Sequence, residues 1–413
     1  MLLAGAVALV ACPAGPGDDT LNYERQVDGL LPRTAPALEL TLEATVSGDD
    51  VPFGRIAALV ADAEGRMYVA DAQAREVLVL GPDGDLLATF GRRGAGPGEF
   101  ADLVSLAWVG DTLVVLDPRQ QRFTLFERDG SVAAVWPWPR DIGTVAGPQT
   151  EPERASTAQA ADGRRFRPGM LFAAGPTPYA VGLFNNPSIQ VAPGAFQAAD
   201  PDLLYHAYSS EGVPRPFPAL SETTWDATRG PRGFDCEAGN GNIYTFRPLF
   251  GNRGPLRAFT PDGLLARAEE TAYRIDLVEA ERGTNVRTLE RDYPPLPVTD
   301  DAWQRATRSF REVERRVGSL GCDIEGMRPE FFPVLRTLIS DDSGRLWVEA
   351  TAPEGIAWAI IDPSGGLLGE APMIERDGRV IPYARGNFLY LVAVDENEQQ
   401  AVHVFEARPG PPG

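Results

Sequence analysis

The sequence contains no lysine: all 38 of its basic residues are arginine, set against 58 acidic residues for a formal net charge of −20. A chain so acidic lacks the dense cationic surface that a phosphate backbone demands, which argues against a nucleic-acid partner. The acids form no run of five or six, so they read as a solvated exterior and not as an acidic tail. Histidine occurs twice, as His206 and His403, and cysteine three times. Two distant imidazoles and no Cys-x-x-Cys pair argue against a histidine-rich metal site and a structural zinc site. Gly-x-Ser-x-Gly, His-Glu-x-x-His and the phosphate-binding P-loop are also missing. Gly91, Gly94 and Gly96 imitate such a loop, but no lysine follows and no helical pattern opens there. No apolar run approaches the ~20 residues that a membrane-spanning helix needs.

What is present begins with an uncharged apolar leader, Leu2 to Ala11, of a length suited to a signal peptide. It closes on Leu9-Val10-Ala11-Cys12, which resembles the lipobox of bacterial lipoproteins and makes Cys12 the expected lipidation site. No basic residue precedes the leader, a departure from the usual signal peptide that a start codon placed too far downstream would explain. The resemblance implies residues 1–12 as signal peptide and lipidation cysteine, and anchoring in the periplasm or at the cell surface through acyl chains alone. Residues 13–37, rich in proline, glycine and aspartate at their start, read as a tether. In an exported protein the remaining pair, Cys236 and Cys322, is expected to form a disulfide.

With 43 glycines and 37 prolines in the chain, many short strands joined by turns are expected. One unit recurs: Asp62-Ala-Glu-Gly-Arg-Met-Tyr-Val-Ala-Asp71, Glu76-Val-Leu-Val-Leu80 and Pro82-Asp-Gly-Asp-Leu86, then Gly110 to Asp117, Arg122 to Phe126 and Arg128 to Val132. Further copies run from Gly241 to Gly263 and from Ser343 to Gly365. The two turn glycines of each copy are 19, 20, 22 and 21 residues apart (65 to 84, 110 to 130, 241 to 263, 344 to 365). Such spacing fits two strands of about five or six residues with their turns, and Asp-Gly between apolar strands is a strong hairpin signal. Weaker starts at Pro178-Tyr-Ala-Val181 and Gly386-Asn-Phe-Leu-Tyr-Leu391 bring the expected count to six blades. The alternating segment Leu38 to Thr45 is placed to complete the last of them beside Val402 to Glu406.

Tyr68-Val-Ala-Asp71 with Arg75 and Pro-Asp-Gly, and Val115-Leu-Asp117 with Arg122 and Arg128-Asp-Gly130, are similar to the NHL repeat. The linker Gly91 to Phe100 resembles the blade-to-blade connection of NHL-type and TolB-like propellers. The expected fold is all-β: a six-bladed β-propeller over residues 38–408, closed by an N-terminal strand, with one helical insert between blades four and five. That insert, about 279–325, is expected to hold a single amphipathic helix capped by Thr299, with Trp303, Ala306, Phe310, Val313 and Val317 on its apolar face and Gly318 as stop. The helix is expected to pack on a blade edge or over the channel mouth. Residues 139–168 and 184–235 read as irregular loops shaping one face.

Members of these families are mostly binding scaffolds, with some enzymes among them, so the resemblance carries architecture further than activity. Ligands of propellers meet the axis, and the expected channel-face residues are Arg55, Arg93, Asp102, Asp235, Glu330, Arg336, Arg379 and Tyr383. The favoured function is a monomeric cell-envelope module binding a protein, peptide or glycan, without a cofactor. The alternative is a metal-dependent hydrolase or lyase, lactonase-like, in which Asp102, Asp235 and Glu330 help hold Ca²⁺, a cation that takes six to eight oxygens.

Overall fold

A computed structural model describes residues 29–137, most of 166–246 as backbone strands, and, apart from a few short stretches, 250–410. The leader, Cys12 and most of the tether lie outside the described residues. No described helix is long and apolar enough to cross a membrane.

The chain forms a β-propeller. Five regular blades each consist of four antiparallel strands in up-and-down order. The first holds Ile56–Ala61, Met67–Asp71, Glu76–Leu80 and Leu86–Phe90, and the second Ser105–Val109, Thr112–Asp117, Arg122–Phe126 and Val132–Pro137. The third runs from Leu256–Phe259 through Leu264–Ala268 and Arg274–Glu279 to Asn285–Arg291, and the fourth from Leu335–Ser340 through Leu346–Ala352 and Gly355–Ile361 to Leu367–Pro372. The fifth combines Tyr383–Arg385, Phe388–Val394 and Gln400–Pro409 with Leu38–Val46 from the other end of the chain.

Repeated aspartates explain why the repeat folds as it does. Asp62 and Asp341 each open a turn by accepting from the backbone N–H two and four residues on, and from the Nε of Arg66 or Arg345. Each then accepts from an aromatic of the next strand, Tyr68 Oη or Trp347 Nε1. Asp71 and Asp117 end the second strands of their blades. They tie the following turn to the connection leading into the first strand, at Gly54 and Arg55 in one blade and Ala101 in the other. Each carboxylate thus satisfies several backbone donors that a turn would otherwise leave unpaired. Apolar faces then pack blade on blade. Val69, Leu80 and Val402 lie between the first and fifth, Val77, Phe100 and Val115 between the first and second, and Ala266, Leu335 and Val348 between the third and fourth.

Five regular blades stand where six were expected, and the difference lies mid-chain. The predicted fourth unit pairs Gly241 with Gly263, but these glycines belong to different sheets. Ile243–Phe246 pairs with Phe234–Glu237, whereas Leu256–Phe259 opens the third blade, whose outer turn uses Gly283. Between the second and third blades, Phe166–Ala174, Thr177–Phe184, Asp202–Tyr208 and Pro214–Glu222 form one sheet. A smaller sheet joins Ile189–Ala192, Ala195–Gln197, Phe234–Glu237 and Ile243–Phe246. Much of the expected irregular loop 184–235 is therefore strand. Inner strands neighbour one another around the axis, and Phe166–Ala174 lies beside both Ser105–Val109 and Leu256–Phe259, where the regular blades leave a gap.

The excursion after the third blade starts at residue 292, because Asn285–Arg291 is that blade's outer strand. Its expected single helix is two, α1 (Asp300–Ala306) and α2 (Arg308–Val317). Thr307 separates them, its hydroxyl turned back onto the Trp303 carbonyl at 2.8 Å, a contact that bends helices. Thr299 caps α1 and Gly318, at φ 87°, ends α2. Trp303 and Phe310 are buried with Cys236, Ala238 and Phe246, so the helices dock on the smaller sheet and not on a regular blade. Cys236 and Cys322 form a disulfide across that junction.

The N-terminal segment runs along the outer rim before it closes the fifth blade. Gly29–Leu31 adds in parallel to Asn285–Arg291, Ala37 bridges to Glu370 of the fourth blade, and Leu38–Val46 pairs with Gln400–Pro409. Arg291 fastens this strap. Its guanidinium lies against the paired rings of Tyr273 and Tyr293, binds Glu370, and donates to the carbonyls of Pro32 and Arg33 at 2.9 and 2.7 Å.

Candidate functional site

In an up-and-down blade, the connection into the first strand and the one between the second and third strands emerge at the same end. Here that end, the upper face, gathers residues 47–55, 91–104, 292–334 and 373–382. The contacts of Asp71 with Arg55 and of Asp117 with Ala101 lie on it. So does Gln400, whose amide donates to Asp377 at 2.9 Å and accepts from the Ile56 N–H at 2.6 Å. This stitches the fifth blade to the first beside the axis.

Three inner strands carry a register shift near their upper ends. The residue passed over is Ala57 in the first blade, Gly169 in the sheet that starts at Phe166, and Arg336 in the fourth. A bulge turns its residue out of the strand's alternation. Two of the three have almost no side chain; the third is an arginine. Arg336 is exposed to solvent, yet protein surrounds it. Burial lowers its pKa from the ordinary guanidinium value, Glu349 partly offsets this, and the charge of Arg376 adds to the lowering. It is thus accessible to solvent and enclosed by protein at once.

Beside it, Glu349 is buried on the second strand of the fourth blade, in Leu346–Ala352. Its carboxylate accepts from Thr337 Oγ1 at 2.6 Å and from Arg376 Nη2 at 2.5 Å, and Arg376 also donates to Thr337 at 2.6 Å. Burial alone would raise the Glu349 pKa, but the hydrogen bond and charge of Arg376, with Thr337, hold it below the ordinary carboxylate value. Next along the same connection, Asp377 accepts from both the backbone and the guanidinium of Arg379, at 2.9 and 2.8 Å.

The predicted channel residues scatter. Arg55 and Arg379 lie on connections at the upper face, and Arg336 lies near the upper end of an inner strand. Asp102 reaches the same face half-buried, its carboxylate turned onto the adjacent Leu103 N–H. Arg93 is exposed on a two-residue strand of the linker between the first and second blades. Tyr383 is a correction: it packs between blades, its hydroxyl on the Ala61 carbonyl at 3.2 Å, and burial raises its pKa. Glu330 lies in the helical excursion, where its carbonyl accepts from Val298, and Asp235 belongs to the smaller sheet. Asp102, Asp235 and Glu330 are thus on separate excursions, and among the described residues no three acids, histidines or cysteines gather into a cation site. Sequence reasoning missed Thr337, Glu349, Arg376, Asp377 and Gln400. Glu349 had a readable signal, since Leu-Trp-Val-Glu-Ala sets an acid at a position that strand burial would enclose, and a buried acid needs a partner.

No family model matches this chain, and no curated protein does. Solved structures match along most of its length. A protein of Bacteroides fragilis described as exported is 10% identical, with a TM-score of 0.42 over 93% of this chain and 99% of that one. A DUF4221-family member from Bacteroides vulgatus is 9% identical, with a TM-score of 0.48 over 92% and 100%. A virginiamycin B lyase from Staphylococcus aureus, in an inactivated form, is 9% identical, with a TM-score of 0.38 over 89% and 98%. Identities this low say nothing about activity here.

Proposed function

We propose that this chain is a cell-envelope lipoprotein, anchored through Cys12, whose propeller binds a protein, peptide or glycan ligand at its upper face. One observation carries the reading. The long connections of the propeller emerge on that face, and two of them are locked together by the Cys236–Cys322 disulfide. Joining one blade to the next needs far less chain, as the short linker between the first and second blades demonstrates. Chain beyond that need, held rigidly around an axial opening, is how a scaffold presents a recognition surface.

The test is site-specific photo-crosslinking in intact cells, with the reactive residue placed at Arg55 on the upper face or at Asp83 on the opposite one. A discrete adduct from position 55 and none from position 83 is the expected outcome. Adducts from position 83 alone would overturn the assignment of the face. Replacing Cys12 by serine is expected to move the protein from the membrane to the soluble fraction, and retention on the membrane would overturn the anchor.

A further inference from the structure

We propose that Arg336 is an anion-binding residue, and that the ligand entering the upper mouth carries a carboxylate or phosphate group that docks on its guanidinium. The inference rests on the upper face being the binding face, and adds the chemistry of what is bound there.

Three observations converge on it. First, the bulge between Leu335 and Thr337 takes Arg336 out of the blade's own ladder, while the equivalent positions hold alanine and glycine. An arginine adds nothing to the packing that those two residues do without. Second, its acidic neighbour is already engaged. Glu349 is saturated by Arg376 and Thr337, so Arg336 has neither an ion pair nor a side-chain hydrogen bond among the described residues. Among the described residues, two guanidiniums face one carboxylate here, a surplus of positive charge in a molecule whose formal charge is −20. Third, Arg336 is enclosed and yet open to solvent. An enclosed charge is costly unless a counter-charge arrives, and an anion from solvent supplies it.

A guanidinium offers a planar fork of donors that matches carboxylate and phosphate oxygens in pairs. In an enclosed site such bonds are stronger than in water. The acidic exterior repels anions in general, so a ligand with a single anionic group on an otherwise neutral body fits this mouth better than a polyanion.

The experiment titrates the full-length protein in neutral detergent with inorganic phosphate and, separately, with succinate, at constant ionic strength, by calorimetry. Binding of at least one anion is expected, and the preferred one identifies the class of group. Arg336→Gln is expected to weaken that binding about tenfold or more, the usual loss for a charged hydrogen-bond pair. Arg336→Lys, which keeps the charge and loses the fork, should retain part of it. Arg282→Gln removes an exposed arginine from the opposite face and should leave binding unchanged. Free Arg336→Gln is expected to melt at or above the wild-type temperature, because an enclosed unpaired charge has gone. Absence of binding of both anions to the wild type, or unchanged binding to Arg336→Gln, would overturn the proposal. If that happens while crosslinking from position 55 persists, the binding face stands and only its anionic chemistry falls.

Discussion

Glu349 and Arg376 show how single residues set the tolerance of this fold to acid. The Glu349 side chain is 2% exposed and its partner's 11%, so their attraction is little screened by solvent. Removing the acid leaves two guanidiniums facing each other without compensation, and Glu349→Ala is expected to cost about 3 kcal/mol, as deleting one partner of a buried pair does. Because folding depresses this carboxyl's pKa below 4.5, its stabilisation is complete above that value and is lost as pH falls through the folded-state value. Denaturant unfolding followed from pH 7 downward should therefore show a loss of stability in the wild type, starting near pH 4.5, that is shallower in Glu349→Gln. An equal acid slope in both proteins would assign the loss to other carboxylates. At this scale the sequence was partly readable. Asp71 and Asp117 stood out in the repeat, but as ties for turns. Of the eight channel candidates, Arg336 is exposed near the upper end of an inner strand, whereas Tyr383, an equally plausible polar aromatic, packs between blades.

Among the elements, the helical excursion and the smaller sheet stand or fall together. Their shared cluster, built on Trp303, Phe310, Phe246 and Leu320, is separate from the interblade cores. The disulfide closes a loop of 86 residues, which in the chain-entropy model contributes about 4 kcal/mol. With both cysteines replaced by serine, limited proteolysis should cut first within 292–334 while the blades remain protected, and calorimetry should separate an early transition from the main one. A single unchanged transition would mean that the cluster holds without the bond. Hairpins were the most legible elements. Gly65 with Gly84, Gly110 with Gly130, and Gly344 with Gly365 all occupy left-handed turn positions of single blades. Gly130 has no alternative, since a Cβ there would sit 2.4 Å from the Phe90 ring at φ 85°. The Gly241–Gly263 pair misled because its spacing matched while its strands joined other partners. The true outer turn of the third blade, at Gly283, lacks the Asp-Gly signature.

For the whole molecule, closure matters most. Leu38–Val46 covers the outer edge of Gln400–Pro409, and the strap before it crosses two further blades under the hold of Arg291. An uncovered strand edge is a template for association. Deleting residues 29–46 should therefore shift the protein toward larger oligomers or aggregate on size-exclusion chromatography, and an unchanged elution volume with unchanged melting temperature would remove closure from the account. The described chain starts on the outer rim, where Gly29–Leu31 pairs with the third blade.

The sequence by itself determined the all-β class, the regular hairpins, the closing strand and the cysteine pair. Each of these is written in turn chemistry and alternation within about 20 residues, or in the chemistry of a particular residue type. Only the tertiary structure decided that the middle of the chain makes two sheets in place of one regular blade. It also decided that the helices dock on the smaller of those sheets, and that Glu349, among the described residues, is held by Arg376 and Thr337 and not by Arg336. Those outcomes depend on contacts between residues far apart in the chain, where burial and charge are settled by which surfaces meet, and no local period records them.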